Sequence, residues 1–458
     1  MNRNLLRWAA TIPFLFLVMV MFQRWEEFKA ERVEPQQLGT SPGEPAPVPQ
    51  PSDAELPEVT RQFAQDDSSD LPALASETPA PAAAAVRVAA EISNDSLIAK
   101  FDGQGNLIEL DLLAHASSFG GDPLPLLYTS GSRRYNIQTG MLGTGLPSHR
   151  DRGWQTEKRD ERTVASIWQD DSLRIERVFT LAETGYLITV SMQIDNNSSE
   201  PVAAHAYFQL LRDTSAPGSY SALLPSFYGA VTYTGTDKYA KYDFDDLEDW
   251  PEEPADGWIG IVQRYFLVAW LDGGSDRQNF MRNIGSEEVA VGLIRSLGTV
   301  PPAQQRSLSQ PLFAGALEQD MLDQIPEGQD LHLAVDYGWL TVICKPLFAL
   351  LSLLHDLFGN WGVAIIVLTL LVKLVFYPLS SASFRSMARL KQFSPKIKQL
   401  KDRFGDDREG FQKAMMDLYR REKINPLSGC LPILIQIPVF IALYWVILGS
   451  VELRHEPF

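Results

Sequence analysis

The chain has little of what metal sites, disulfide scaffolds and most enzyme active sites are made from. Two cysteines, Cys344 and Cys430, in 458 residues exclude a disulfide framework, and neither makes a metal site alone. No glycine-rich phosphate loop, nucleophile elbow or metal-ligand cluster can be found, so no cofactor, metal or catalytic residue is assigned and the chain is not expected to be an enzyme. What is present is a mixture: 45% hydrophobic residues with a mean hydropathy of only −0.10, in a chain long enough for several domains.

Charge is distributed unevenly. From Arg24 to Gly338 there are 23 basic and 48 acidic residues, a net of 23 − 48 = −25, against −17 for the whole chain. The compensating charge lies between Ser380 and Lys423, with twelve Lys/Arg against six acids, and two apolar runs flank it. Short basic loops stay cytoplasmic, as does the N-terminal tip with Arg3 and Arg7. The acidic region is therefore expected outside, which puts Cys344 and Cys430 on opposite sides of the bilayer.

The order along the chain follows from composition and period. Residues 1–23 read as an uncleaved membrane anchor: apolar Trp8 to Phe22 follows a basic tip, and no small-residue cleavage pattern precedes Arg24 and Glu26. Residues 24–85, rich in Pro, Ala, Glu, Ser and Gln, read as a disordered linker. Over 86–335 the period becomes two. Leu173, Ile175, Phe179 and Leu181 alternate with polar neighbours, interrupted by Arg177, and Tyr186 to Ile194 alternate without a break. Similar runs near Ser96–Leu113, Val202–Leu211 and Trp258–Trp270 predict a large antiparallel β-sandwich.

Residues 337–358 are apolar, but only Gly359 and Asn360 separate them from the next apolar run. Lys345, Ser352 and Asp356 form a polar stripe, so a helix lying in the membrane interface is predicted. A second span is expected at 361–380 and a third at 427–451, the latter holding Pro432 and Pro438, with 452–458 as a short outer end. Between the spans, Met387, Leu390, Phe393, Ile397, Leu400 and Phe404 keep helical spacing, and Phe411, Met415 and Leu418 repeat it after Gly405, Asp406 and Asp407. This predicts a basic helical hairpin over 384–423, with Ser394 and Pro395 restarting or kinking its first arm.

Lys373 lies inside the uncharged run Trp361–Leu379 and shares a helix face with Thr369 and Tyr377. Gln436, Phe440 and Tyr444 do the same on the third span. A lysine at mid-membrane costs about 2.5–3.5 kcal/mol, so these rows are candidate walls of a wet groove. Two plainer readings stay open at this level: Lys373, about six residues or roughly 9 Å from the cytoplasmic end, can snorkel, and Gln436 can bond a neighbouring helix. The hairpin's cations either dock a partner or sit near anionic lipid. His205, in the run AHAYFQL, has no carboxylate at a diagnostic spacing; a structural role is expected.

GNWG (Gly359–Gly362), YPLS (Tyr377–Ser380), MARLKQFSPKIKQLKDRFGDD (Met387–Asp407) and NPLSGCLPILIQIP (Asn425–Pro438) together resemble the YidC family of Gram-negative membrane protein insertases, related to the Oxa and Alb types. The resemblance extends over the whole chain. It implies a hydrophilic groove open to cytoplasm and lipid, into which the hydrophilic flank of a nascent membrane protein enters. Lys373 stands where an arginine is common in the family, keeping the charge but not bidentate binding. Thr369 and Gln436 match further groove positions; Ile437, Pro438 and Phe440 match the substrate-facing part of the third span. The hairpin residues Arg385, Arg389, Lys391, Lys396, Lys398, Lys401, Arg403, Asp406 and Asp407 fall in the region implied to contact the ribosome and the signal-recognition-particle receptor. Work beside the Sec translocon (SecYEG, SecDF) is implied too, as is a super-β-sandwich resembling sugar mutarotases. No sequence-specific nucleic acid is implied. Family members have two more spans, so Phe458 looks like an incomplete end. The competing expectations are a membrane-anchored periplasmic carbohydrate-binding domain, which needs an acid paired with His205, and a solute transporter, which needs a through-pathway.

Overall fold

The computed structural model describes residues 87–130, 133–215, 227–236, 238–244, 247, 253–254, 256–271, 277–284, 287–322, 325, 330–392, 394–405, 407–421 and 431–457. The expected anchor, the linker, Phe393, Asp406 and the first residues of the third apolar run lie outside them. The described residues form two compact units: 87–336 with 450–455, and 337–449 with 456–457.

The first unit is the predicted sandwich. In chain order its strands are β1 (Ala90–Ser93), β2 (Leu97–Phe101), β3 (Leu107–Ala116), β4 (Pro123–Ser130), β5 (Arg133–Leu142), β6 (Gln155–Lys158), β7 (Thr163–Gln169), β8 (Leu173–Leu181) and β9 (Leu187–Asn196). They continue with β10 (Val202–Asp213), β11 (Tyr228–Thr234), β12 (Lys238–Tyr242), β13 (Glu253–Pro254), β14 (Trp258–Gln263), β15 (Phe266–Trp270), β16 (Arg277–Ile284), β17 (Glu288–Val300) and β18 (Gln304–Ala316). One sheet has the order β1-β2-β3-β4-β5-β10-β17-β16-β13, the other β12-β11-β14-β15-β18-β9-β8-β7-β6. Every pairing is antiparallel.

The alternation in the sequence becomes burial. In β9, Ile188, Val190, Met192 and Ile194 point into the core while their neighbours are half-buried, and β8 does the same in register Leu173↔Asn196. β14 and β15 are buried on both faces, which is why they read as continuous apolar runs. Phe208 of β10 meets Trp270 of β15 edge-on, ring centroids 5.3 Å apart, and links the two sheets. Arg177, which interrupts the apolar face of β8, is wholly buried. Its guanidinium donates to the carbonyls of Thr139 at 2.6 Å and Gln104 at 2.5 Å and lies 4.9 Å from the Trp154 ring, so backbone oxygens offset its burial.

The second unit contains helices. After α1 (Gln319–Leu322) in the sandwich unit come α2 (Thr341–Phe358), α3 (Trp361–Gln392), α4 (Ser394–Phe404), α5 (Arg408–Arg421) and α6 (Leu431–Gly449). α2 and α3 are separated by Gly359 at φ 65°, a left-handed conformation that suits glycine and ends α2. Asn360 then starts α3, its Oδ1 accepting the Val363 amide at 3.0 Å.

Two boundaries differ from the sequence reading. α3 does not stop at Ser380 but continues to Gln392, because Pro378 is tolerated within it and neither glycine nor a further proline interrupts Ser380–Gln392. At the other end, 427–451 was expected as one span followed by a plain tail. α6 instead ends at Gly449, and 450–455 fold into the sandwich unit. Val451 joins the sandwich core with 2% exposure, Glu452 Oε1 accepts the Gln319 amide at 3.1 Å, and Arg454 donates to the Ala116 carbonyl at 2.7 Å. A short apolar–acidic–basic segment gives no periodic signal, which is why the sequence did not show this docking.

Candidate functional site

In the second unit α2 packs on both α3 and α6, and α3 meets α6. The contact surface of α2 is Ile343, Cys344, Phe348, Leu351 and Leu354; Cys344 Sγ points at the Ala442 carbonyl of α6, 3.6 Å away. Its Lys345 and Asp356 are exposed and Ser352 half-buried, so the predicted polar stripe lies off the packed face. Where α2 turns into α3, the rings of His355 and Trp361 stack at 3.9 Å and 10°. By length and composition alone, 338–358 and 361–385 are apolar enough to cross a membrane, and 434–449 is a shorter apolar helix.

α3 buries Ala364, Leu368 and Ser383. Thr369, Lys373 and Tyr377 stand on successive turns beside that buried row: Thr369 half-buried, Lys373 and Tyr377 exposed. Apolar side chains surround the lysine, with Leu370 61%, Leu374 69% and Val375 71% exposed. Among the described residues no hydrogen bond or ion pair reaches Lys373. Thr369 Oγ1 donates to the Ile365 carbonyl at 2.8 Å. Pro378 has no amide to give the Leu374 carbonyl, so a backbone acceptor is freed next to the cation.

On α6, Gln436 and Pro438 are half-buried, while Ile437 and Phe440 are exposed; Ala442, Leu443 and Val446 make the packed face. Pro438 leaves the Leu434 carbonyl without its helical donor in the same way. The fold therefore places all seven sequence-selected residues on two neighbouring helices, each of them exposed or half-buried. It shows no direct bond between Lys373 and Gln436.

The hairpin is formed by α4 and α5, which pack together through half-buried Ile397, Leu400, Phe404, Phe411, Met415 and Leu418. Gly405, at φ 51°, closes α4 with its amide on the Lys401 carbonyl, and Asp407 Oδ1 caps α5 by accepting the Gly410 amide at 3.0 Å. Arg385, on the end of α3, and Lys396, Lys398, Lys401 and Arg403, on α4, are exposed. Arg389 and Lys391 lie on α3. The hairpin thus half-buries one apolar seam and presents the cations of α4 outward.

In the sandwich, His205 sits at a β-bulge of β10, opposite Leu142 and Ser296. Burial lowers its pKa, the reverse of what a carboxylate partner produces. Among the described residues no three His, Cys, Asp or Glu side chains gather as a metal site.

The family profile described as "YidC periplasmic domain" matches residues 89–350, and that described as "60Kd inner membrane protein" matches residues 353–458. Relatives named membrane protein insertase YidC include one from Nitrosomonas europaea, 40% identical over 87% of this chain and 68% of its own length. Another, from Dechloromonas aromatica, is 38% identical over 99% of this chain and 82% of its own. A third, from Nitrosomonas eutropha, is 41% identical over 80% of this chain, which spans 61% of that relative's length. A solved galactose mutarotase-like protein of Lactobacillus casei aligns over 49% of this chain at 10% identity with a TM-score of 0.30, too low to bear on activity. Two profiles in tandem, meeting within α2, and relatives across nearly the whole chain establish that it belongs to the YidC family of membrane protein insertases.

Proposed function

We propose that the chain is a membrane insertase that receives the hydrophilic flank of a nascent membrane protein beside Lys373 and releases apolar segments to lipid along α6. The observation that carries this reading is an exposed lysine, unpaired among the described residues, whose exposed neighbours Leu370, Leu371, Leu374 and Val375 on the same helix are apolar. An isolated ammonium in hydrocarbon costs about 2.5–3.5 kcal/mol, and a hydrated cleft open to the cytoplasm removes most of that cost. Polar, often acidic, flanks then gain an attractive partner while they are inside the bilayer. Apolar segments are drawn out over Ile437, Pro438 and Phe440, because nothing there competes with lipid. The step is passive and needs neither nucleotide nor bond making.

In this reading the third apolar helix returns outward, the hairpin lies in the cytoplasm, and the sandwich is periplasmic, as the charge asymmetry supports. α2 lies at the outer interface, its polar stripe toward headgroups. The exposed cations of α4 and the end of α3 receive the ribosome or the signal-recognition-particle receptor, and the Sec translocon is a lateral partner for larger clients. The test is insertion of a short client with an acidic outer tail in proteoliposomes. Lys373→Arg keeps activity near wild type, whereas Lys373→Glu lowers it by tenfold or more; equal activity of the two variants overturns the charged groove.

A further inference from the structure

Phe119, at the tip of the hairpin that joins β3 to β4, is 75% exposed, the most exposed large apolar side chain among the described residues. The backbone holds it there. The Gly121 amide donates to the Ser118 carbonyl at 2.9 Å, which closes a four-residue turn with Phe119 at its first corner and Gly120, at φ 68°, at its second. The Ser117 amide and hydroxyl close the base of the turn on the Asp122 carbonyl, at 2.9 and 3.2 Å. The ring therefore stands on a hydrogen-bonded apex.

Its surroundings are apolar too: Leu113, Ala114, Pro123 and Pro125 of the same hairpin are exposed. Within residues 112–129 Asp122 is the sole Asp, Glu, Lys or Arg, in a region whose net charge is strongly negative. Exposed apolar residues scattered singly are ordinary, but an apolar, almost uncharged hairpin end is a contact surface.

Chain connectivity says what lies beside it. Arg454 donates to the carbonyls of Ala116 at 2.7 Å and Ser117 at 3.4 Å, and so ties this hairpin end to the segment that continues directly from α6. The stretch from Gly449 to Arg454 spans at most about 18 Å when fully extended. It spans less here, because Val451–Leu453 coil into a 3-10 turn. Near the end of α6, Trp445 meets Trp339 edge-on, ring centroids 6.4 Å apart, an aromatic pair of the kind that sits at a membrane–water boundary.

We propose that the β3–β4 turn is an interfacial membrane anchor, with Phe119 inserted among the lipid headgroups of the outer leaflet where α6 emerges. The proposal rests on the outward return of α6 and not on the groove at Lys373. A lipid surface, rather than a protein, is the occupant because the tie through Arg454 keeps the turn within reach of the bilayer, and one ring on a small apex offers far less area than a specific protein interface buries.

A benzophenone-bearing phenylalanine in place of Phe119 keeps an aromatic ring at the apex and reports what touches it. The control position is Gln305, exposed at the opposite end of β18 from Glu318, which His115 of this hairpin contacts. With the whole chain in vesicles of phosphatidylethanolamine and phosphatidylglycerol, irradiation is expected to give about fivefold or more phospholipid adduct at 119 than at 305. Equal yields at the two positions, or adducts only to a second copy of the chain, overturn the proposal. A separate measurement tests the orientation on which it rests: His455→Cys in intact cells is expected to react with a membrane-impermeant maleimide. Protection of that thiol until the cells are opened would overturn the outward return of α6 and the anchor with it, whereas labelling without lipid adducts at 119 overturns the anchor alone.

Discussion

Thr369 Oγ1 donates to the Ile365 carbonyl, one turn earlier on the same helix, at 2.8 Å. The hydroxyl is thereby satisfied within α3 and can face lipid without penalty. Of the polar row Thr369, Lys373 and Tyr377, the lysine is the member that demands water.

Thr369→Val should therefore leave insertion within about twofold of wild type, since a single neutral hydrogen bond nets only about 0.5–1.5 kcal/mol and this one is internal to the helix. Lys373→Met should abolish stimulation of clients with acidic flanks while sparing those with neutral flanks. Client insertion rates compared across the two variants check both outcomes. A Thr369→Val defect as deep as that of Lys373→Met contradicts this division of roles.

The hairpin should open when its turn is altered. Gly405 has a left-handed backbone at φ 51°, and Asp407 caps α5. Gly405→Ala should cost about 1–2 kcal/mol from backbone strain, and Asp407→Ala about 1 kcal/mol from the lost cap, with Asp407→Asn nearly neutral. Hydrogen exchange of amides in α4 and α5 reads these changes locally. Partner docking should fall with them while the sandwich remains unchanged.

Glu452 gives the chain a pH signature. Burial first, and then the charges of Glu318 and Asp320, raise its pKa above the ordinary glutamate value, against hydrogen bonds from backbone amides. A raised folded pKa means the charged form is disfavoured on folding. The penalty is absent below the unfolded value of about 4.3 and grows as pH rises through the folded one. Glu452→Gln keeps an acceptor for the Gln319 amide and should raise the unfolding midpoint at pH 7, with the gain vanishing below about pH 4. A gain that persists unchanged in acid excludes ionisation as its source.

Glu318 behaves in the opposite sense. Its burial works to raise the pKa, but His115, 2.9 Å away, and the Tyr186 hydroxyl, also at 2.9 Å, together lower it. Its contribution is present above the unfolded glutamate value and is lost as pH falls through the lowered folded one. Glu318→Gln should therefore destabilise at neutral pH and converge on wild type in acid, the reverse of Glu452→Gln.

In the sandwich core, Phe208→Ala should cost about 3–5 kcal/mol, because the ring is fully buried against Trp270 and its removal leaves a cavity between the sheets. Denaturant titration checks this, and a loss below about 1 kcal/mol would mean that the sheets repack around the gap.

Much of this architecture was legible in the residues themselves. Alternation located β8 and β9 to within a residue or so, since one buried face per strand forces a period of two. Gly405 and Asp407 located the hairpin turn because few other residues suit those backbone positions. Thr369, Lys373, Tyr377, Gln436 and Phe440 were picked out by one intramembrane charge and helical spacing, whereas Ile437 and Pro438 came only from the family resemblance. Long-range pairing was not legible: nothing near Arg212 says that Tyr228 will face it from another sheet, nor does Val451 show that it completes a core more than a hundred residues earlier in the chain. Arg177 reads as a break in a strand's face, and only the carbonyls of Gln104 and Thr139 explain its place inside. The continuation of one helix from apolar into basic sequence was equally hidden, as the run of α3 past Ser380 shows.

The account stands on the surroundings of Lys373, and a photocrosslinking aromatic residue in place of Tyr377, one turn away, samples them directly. With a ribosome-stalled client, adducts to the client's hydrophilic flank are the predicted result. Adducts to phospholipid alone, at every client length, would contradict a hydrated receiving groove.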